Sequence, residues 1–224
     1  MEDDKNSIDE QLLGLTLENL KLRGLLEEHL GQRVTEEILG GKVSTKLGGE
    51  RKRVGIMMPD LRAFTAFSDR VGPVSVVEFL NIFFRMTTAC VERHGGFVDK
   101  FIGDAILAIF DGNAIAAMPA CAREIVRRFD ALPPPEGLGL GIGLAAGEVI
   151  LGYVGSGRKV DFTVIGSPVN LASRLSGLAK AGEILMDAEV RAALEPDAAV
   201  RSAGHSAIKG FTQPIEIFRL EPKE

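Results

Sequence analysis

Apolar residues in the first thirty positions recur at helical spacing. Ile8, Leu12, Leu15, Asn19, Leu22 and Leu26 follow one another at alternating steps of four and three. That is the a/d seam of a coiled coil with one asparagine at an a position, a device that fixes register in parallel dimers. Leu13, Leu17, Leu20 and Leu25 lie off the seam, and Gly14 and Gly24 weaken a helix. An amphipathic helix packed on its own domain is therefore the competing reading. A second short amphipathic piece runs through Val34, Ile38 and Leu39 to Gly40-Gly41, and Leu47-Gly48-Gly49 reads as a linker.

From Arg53 the pattern changes. Val54–Met58 is a short apolar run, read as a buried strand, with Asp60 just after it. Residues 73–93 carry apolar groups at helical spacing and stop at His94-Gly95-Gly96. Phe97–Ile102 and Ala105–Phe110 are strand-like runs around Gly103-Asp104, which predicts a hairpin. Asn113–Leu132 reads as a helix broken by Pro133-Pro134-Pro135. Leu138–Ala145 and Val149–Val154 read as a strand pair, and Thr163–Ile165 as a short strand before a helix from Pro168 to Ala179. Ile184–Met186 and Ile215–Leu220 close the sheet. This order predicts an α+β, ferredoxin-like split βαβ domain: an antiparallel sheet with helices on one face, preceded by the N-terminal helix. The expected organisation is a helix over 1–32, a short helix and linker over 33–49, and the α+β domain over 50–224.

Composition narrows the partners. The chain has 224 residues, 46% hydrophobic and 25% charged, enough for one good-sized core plus an appendage. A net charge of −5, no Trp and a single Tyr at 153 give no reason to expect nucleic acid. Cys90 and Cys121 sit in helical patterns without metal-ligand spacing, which fits reduced core thiols in a cytoplasmic protein. The acidic N-terminus is unlike a signal peptide, and no apolar run approaches a membrane span, so any membrane tether is expected outside this chain.

Two acids stand out, Asp60 after the first strand and Asp104 at the hairpin tip. The split βαβ fold places that strand beside the hairpin, so the carboxylates can converge to hold hard divalent ions near a phosphate. An Asp in a turn also has purely structural uses. The surrounding strings decide between these readings. Asp60-Leu-Arg-Ala-Phe-Thr65, Val98-Asp-Lys-Phe-Ile-Gly-Asp-Ala105 and Val164-Ile-Gly-Ser-Pro-Val-Asn-Leu-Ala-Ser-Arg174 closely resemble the three signature segments of class III adenylyl and guanylyl cyclases. They occur in the family's order, and the resemblance covers residues 50–221.

The resemblance implies roles. Asp60 and Asp104 match the ligands of two divalent metal ions, Mg2+ or Mn2+. The main chain through Phe64 and Thr65 opens a helix whose free N–H groups would cradle the triphosphate. Asn170 and Arg174, four apart on one helix, match the residues that orient the ribose and steady the transferring phosphate. Lys209 resembles a lysine on the terminal phosphates. Lys100 and Thr163 match the base-reading pair: lysine can only donate and the threonine hydroxyl can accept, which suits adenine N1 and its 6-amino group. The implied reaction converts ATP to 3′,5′-cyclic AMP and pyrophosphate. In the family each site forms between head-to-tail protomers, so a homodimer is implied, through the catalytic domain and the N-terminal coiled coil. The helix and linker resemble the transducing segments that precede many bacterial cyclase domains, so an upstream sensor in a larger parent protein is expected.

Ala63 replaces the family's usual Gly and removes its freedom for positive φ. Pro59 precedes Asp60, and Glu148 stands where some members carry a phosphate-binding Arg. The alternatives are a guanylyl or pyrimidine-nucleotide cyclase, disfavoured by Lys100 and Thr163, and a degenerate dimerising module, disfavoured by the retained aspartates, Asn170 and Arg174. A diguanylate cyclase would need a Gly-Gly-Asp/Glu-Glu-Phe hairpin that is missing here.

Overall fold

The structure is a computed structural model describing residues 2–30, 35–36, 39–40, 48–132, 137–156, 159–196 and 198–221. Val34, Ile38, Gly41, Leu47 and the Pro133–Pro135 break lie outside the described residues. The chain divides into two compact units, Met1–Lys46 and Leu47–Glu224.

The first unit is built on α1 (Glu2–Leu30), which starts earlier than the apolar pattern predicts. An Arg23–Glu27 ion pair at 2.9 Å spans one turn of it. The seam residues Leu12, Leu15 and Leu22 are 52–58% exposed, and the off-seam Leu13, Leu17, Leu20 and Leu25 are 51–61% exposed. Apolar side chains thus lie uncovered on and off the seam.

The second unit runs β1 (Gly48–Arg62), α2 (Phe64–Val71), α3 (Pro73–Arg93), β2 (Gly96–Ile102), β3 (Ala105–Asp111), α4 (Met118–Ala131), β4 (Gly139–Ser156), β5 (Lys159–Ile165), α5 (Ser167–Leu178), β6 (Ile184–Met186), α6 (Ala188–Ala192), β7 (Val200–Ser206) and β8 (Ile215–Leu220). The sheet order is β2-β3-β1-β4-β6-β8-β7, with β5 also paired to β4. The β1-α3-β2-β3-α4-β4 segment gives the order β2-β3-β1-β4, the ferredoxin-like split βαβ arrangement. The pairs are antiparallel except β4–β6, which is parallel.

Helices cover both faces of the sheet, not one. On β1, Met57 and Leu61 join a core with Phe83, Cys90, Cys121, Ile125 and Phe129 of α3 and α4. Val54, Ile56 and Met58 point the other way, into a core with Leu171, Ala172 and Leu175 of α5. A strand apolar on both sides needs a cover on each side, and the continuous run Val54–Met58 is that signal. Phe83 and Phe129 meet edge-on at 5.9 Å. Gly143 of β4 lets α5 lie close: a Cβ there would stand 2.1 Å from the Ala172 carbonyl oxygen and 2.3 Å from the Ser176 nitrogen.

Other expectations need correction. β1 is 15 residues long because its charged first half, Glu50–Arg53, pairs with Leu151–Glu148 of β4. The two strands read over 138–154 are one, β4, whose first half pairs with β6 and second half with β5. The helix read from Asn113 is a 3-10 segment, Gly112–Ala117, followed by α4, with Pro119 in its first turn. α6 and β7 were not foreseen. α3 is long and apolar enough to cross a membrane by length and composition, contrary to the reading above, yet Phe83, Thr87, Cys90 and Val91 bury one side of it in the core. His94 caps that helix, its Nδ1 lying 2.9 Å from the Cys90 carbonyl oxygen.

Candidate active site

The sheet brings the two acids together. Asp60, near the end of β1, is in register with Ala105, the first residue of β3. Asp104 sits immediately before it, in the two-residue turn whose Gly103 has φ +62°, a conformation that favours glycine. Burial raises the Asp104 pKa most, the Asp60 charge adds to the rise, and its own backbone amide and Arg62 oppose it. A buried carboxylate with a second negative charge beside it is short of a cation. Arg62 supplies part of one: its Nη2 donates to Asp60 Oδ2 at 2.8 Å, and also to the Ser176 carbonyl of α5 at 2.9 Å. Both side chains are about three-quarters buried, at 25% and 28% exposure, and Arg62 Nε is buried without a hydrogen-bond partner. Sequence reasoning passed over Arg62. Among the described residues no cluster of three or more His, Cys, Asp or Glu could hold a metal; the acids form a pair.

The chain leaves Asp60 through a tight turn into α2. Ala63 adopts φ 59° and ψ 23°, the one positive-φ residue other than glycine among the described residues. The expectation that alanine would avoid this conformation is overturned: the turn imposes it. No side chain caps α2 and its first turn holds no acid, so its leading N–H groups have no side-chain partner and keep the positive end of the helix dipole unneutralised. The Phe64 ring packs toward the core, 6.1 Å from Phe67, leaving only its main chain for a ligand. Thr65 is exposed.

A second group forms around Asp99. The β2–β3 register shifts between Val98 and Lys100, a bulge that leaves Asp99 out of the ladder. Its side chain is 2% exposed and lies 3.6 Å from Lys100 Nζ, by the same Oδ2 that accepts a 3.0 Å hydrogen bond from Thr163 Oγ1. The predicted base-reading pair, one residue on β2 and one on β5, therefore meets at one oxygen. Burial raises the Asp99 pKa most, with Lys100 and Thr163 pulling the other way. Asp99 was not among the residues expected at the site.

Asn170 and Arg174 lie on the exposed side of α5, opposite the buried Leu171 and Leu175, and Lys209 is exposed in the turn after Ile208. Among the described residues none of these three side chains makes a hydrogen bond or ion pair, to Asp60 and Asp104 or to any other group.

Residues 49–222 match the model of the adenylate and guanylate cyclase catalytic domain. The chain belongs to that family. This cyclase domain is 38% identical over 213 residues to an uncharacterised protein of Mycobacterium tuberculosis, covering 89% of this chain and 38% of the relative. The chain thus spans under two-fifths of the length of that curated relative. Among solved structures it resembles the adenylyl cyclase CyaB of P. aeruginosa, at 27% identity and a TM-score of 0.71 over 80% of this chain and 98% of that one. It also resembles a guanylyl cyclase, at 30% identity and a TM-score of 0.64 over 77% and 93%. The cyclase domain therefore has relatives named for each purine nucleotide.

Proposed function

We propose that this domain is an adenylate cyclase, converting ATP to 3′,5′-cyclic AMP and pyrophosphate at the interface of a homodimer. The observation that carries the choice of ATP is the meeting of Lys100 and Thr163 on Asp99. Lys100 offers only donors, the match for adenine N1. Guanine has a donor at N1, which an ammonium leaves unpaired, and a site built for hydrogen bonds discriminates strongly against such a mismatch.

The acid pair fits two hard divalent ions, Mg2+ or Mn2+, because its donors are carboxylate oxygens and one already feels the other's charge. Asp60 and Asp104 would hold them, and bound there they would activate the ribose 3′-hydroxyl and offset phosphate charge. The chain's own contributions are positional. The N–H groups opening α2 receive phosphate oxygens. Asn170 orients the ribose, Arg174 presents a planar fork to the α-phosphate, and Lys209 meets the terminal phosphates. Since Asn170 and Arg174 make no bond to the acid pair of their own chain, a partner protomer is their natural complement. The uncovered leucines of α1 suit a coiled coil joining the protomers, and the length of the relatives suits an upstream sensor.

Incubating the chain with ATP, GTP, CTP or UTP and Mg2+ or Mn2+, then identifying the products by mass, tests the reading. The expected product is cyclic AMP, lost on chelation of the metal. Cyclic GMP as the main product, or none from any nucleotide, overturns it.

A further inference from the structure

We infer that Asp99 is the residue that makes the base pocket select adenine, by accepting the hydrogen bond of the Thr163 hydroxyl and leaving Thr163 Oγ1 an acceptor only toward the base. The inference rests on Lys100 and Thr163 reading the base, as proposed above.

A threonine hydroxyl is ambivalent: it carries one donor and two acceptor sites and rotates to suit its neighbour. Left free, it could accept from the 6-amino group of adenine or donate to O6 of guanine, so alone it discriminates poorly. The structure removes the ambivalence. Thr163 Oγ1 donates to Asp99 Oδ2 at 3.0 Å, and an ionised carboxylate can only accept, so the hydroxyl proton must point at Asp99. The remaining lone pairs of Oγ1 can then only accept. The ammonium of Lys100, 3.6 Å from the same oxygen, favours the ionised carboxylate. Asp99 does not reach the ligand, because its side chain is 2% exposed. It acts through Thr163 and is a positioning residue. Two long-range features create the contact: the bulge that turns Asp99 out of the β2–β3 ladder, and β5, which brings Thr163 over it. Guanine O6 placed against this oxygen would set acceptor against acceptor.

The test compares kcat/KM for ATP and GTP in the full chain. Asp99→Asn can donate its amide N–H to Thr163 Oγ1, freeing the hydroxyl proton for the ligand. The ATP:GTP ratio should fall by at least about tenfold, the scale of one buried mismatch, with GTP turnover rising. Thr163→Val should also lower the ratio. Adding Asp99→Asn to Thr163→Val should change it by less than about twofold, since the hydroxyl through which Asp99 acts is gone. If Thr163→Val lowers the ratio and Asp99→Asn does not, or if the two effects simply add, the role of Asp99 is refuted while the base-reading assignment stands. If Thr163→Val leaves the ratio unchanged, that assignment itself falls. Should Asp99→Asn fold poorly, Asp99→Ala removes the acceptor altogether and must shift the ratio in the same sense; an unchanged ratio in whichever variant folds overturns the inference.

Discussion

Ala63 offers the sharpest test of the backbone at the site. Its φ of 59° and ψ of 23° place it in the left-handed region, where an L-residue with a Cβ carries about 1–2 kcal/mol of strain. Replacing it by glycine removes that strain. Glycine also has more freedom to lose on folding, a penalty of about 0.4–1 kcal/mol. The difference leaves Ala63→Gly more stable by about 0.5–1 kcal/mol. For a domain of this size 1 kcal/mol moves the melting temperature by about 2–4 °C, so a rise of about 1–4 °C is expected. Ala63→Val should move it the other way by at least as much, because a β-branched residue is a true outlier at positive φ. Differential scanning fluorimetry or calorimetry of the three proteins, at one concentration and without nucleotide, decides it. Ala63→Gly melting below the parent, with Ala63→Val unchanged, would refute a left-handed Ala63.

Three further outcomes are expected. Asp60→Ala and Arg174→Ala homodimers should each be nearly inactive, whereas a purified mixed dimer, which collects both defects in one site, should regain about half the parental activity per dimer; a mixed dimer as inactive as its parents would mean that each chain builds its own site. Deleting residues 1–32 should move the protein-concentration dependence of specific activity to higher concentration, as light scattering and activity titrations would report; an unchanged dependence excludes α1 as a dimerising seam. Burial pushes the Asp187 carboxyl up to about 6, although it accepts hydrogen bonds from Val190 and Ala146. The folded state then holds this proton more tightly than the unfolded chain, so the stability it contributes is full below about pH 4 and falls as pH rises through 6. Relative to Asp187→Asn, urea unfolding of the parent should lose about 3 kcal/mol across that window; a constant difference from pH 4 to 7 would refute the shift.

What the sequence disclosed follows the range of the interactions involved. The Gly103-Asp104 hairpin and α3 were legible because flanking apolar runs, a φ-permissive glycine and a helix stop are local signals. The charged half of β1 was not, because Glu50–Arg53 become a strand only against β4, about a hundred residues away. Asp60 and Asp104 stood out as a pair of acids, and their convergence follows from the topology. Arg62 and Asp99 did not: each acquires its place from a contact with a distant element, Ser176 of α5 and Thr163 of β5. The one local hint at Asp99 is a charge lying between Phe97 and Phe101, two apart from each, in a strand that otherwise reads as largely apolar.

The seat of α5 on β4 carries a consequence for how this domain can fail. Gly143 sets the height of the helix by having no side chain: the Ala172 carbonyl oxygen and Ser176 nitrogen occupy the space a Cβ would need, at 2.1 and 2.3 Å. Even one methyl group there must lift the helix by more than about 1 Å to reach an ordinary contact, and a misplacement of about 1 Å can cost a hundredfold in rate when it moves a reacting partner. Asn170 and Arg174 ride on that helix, while Asp60 and Asp104 hang from other strands. A side chain at position 143 would therefore shift Asn170 and Arg174 directly, and would reach Asp60 only through Arg62, which bridges it to the Ser176 carbonyl of the same helix. A residue with no functional atoms of its own thus acts as the gauge block against which the helix carrying Asn170 and Arg174 is set.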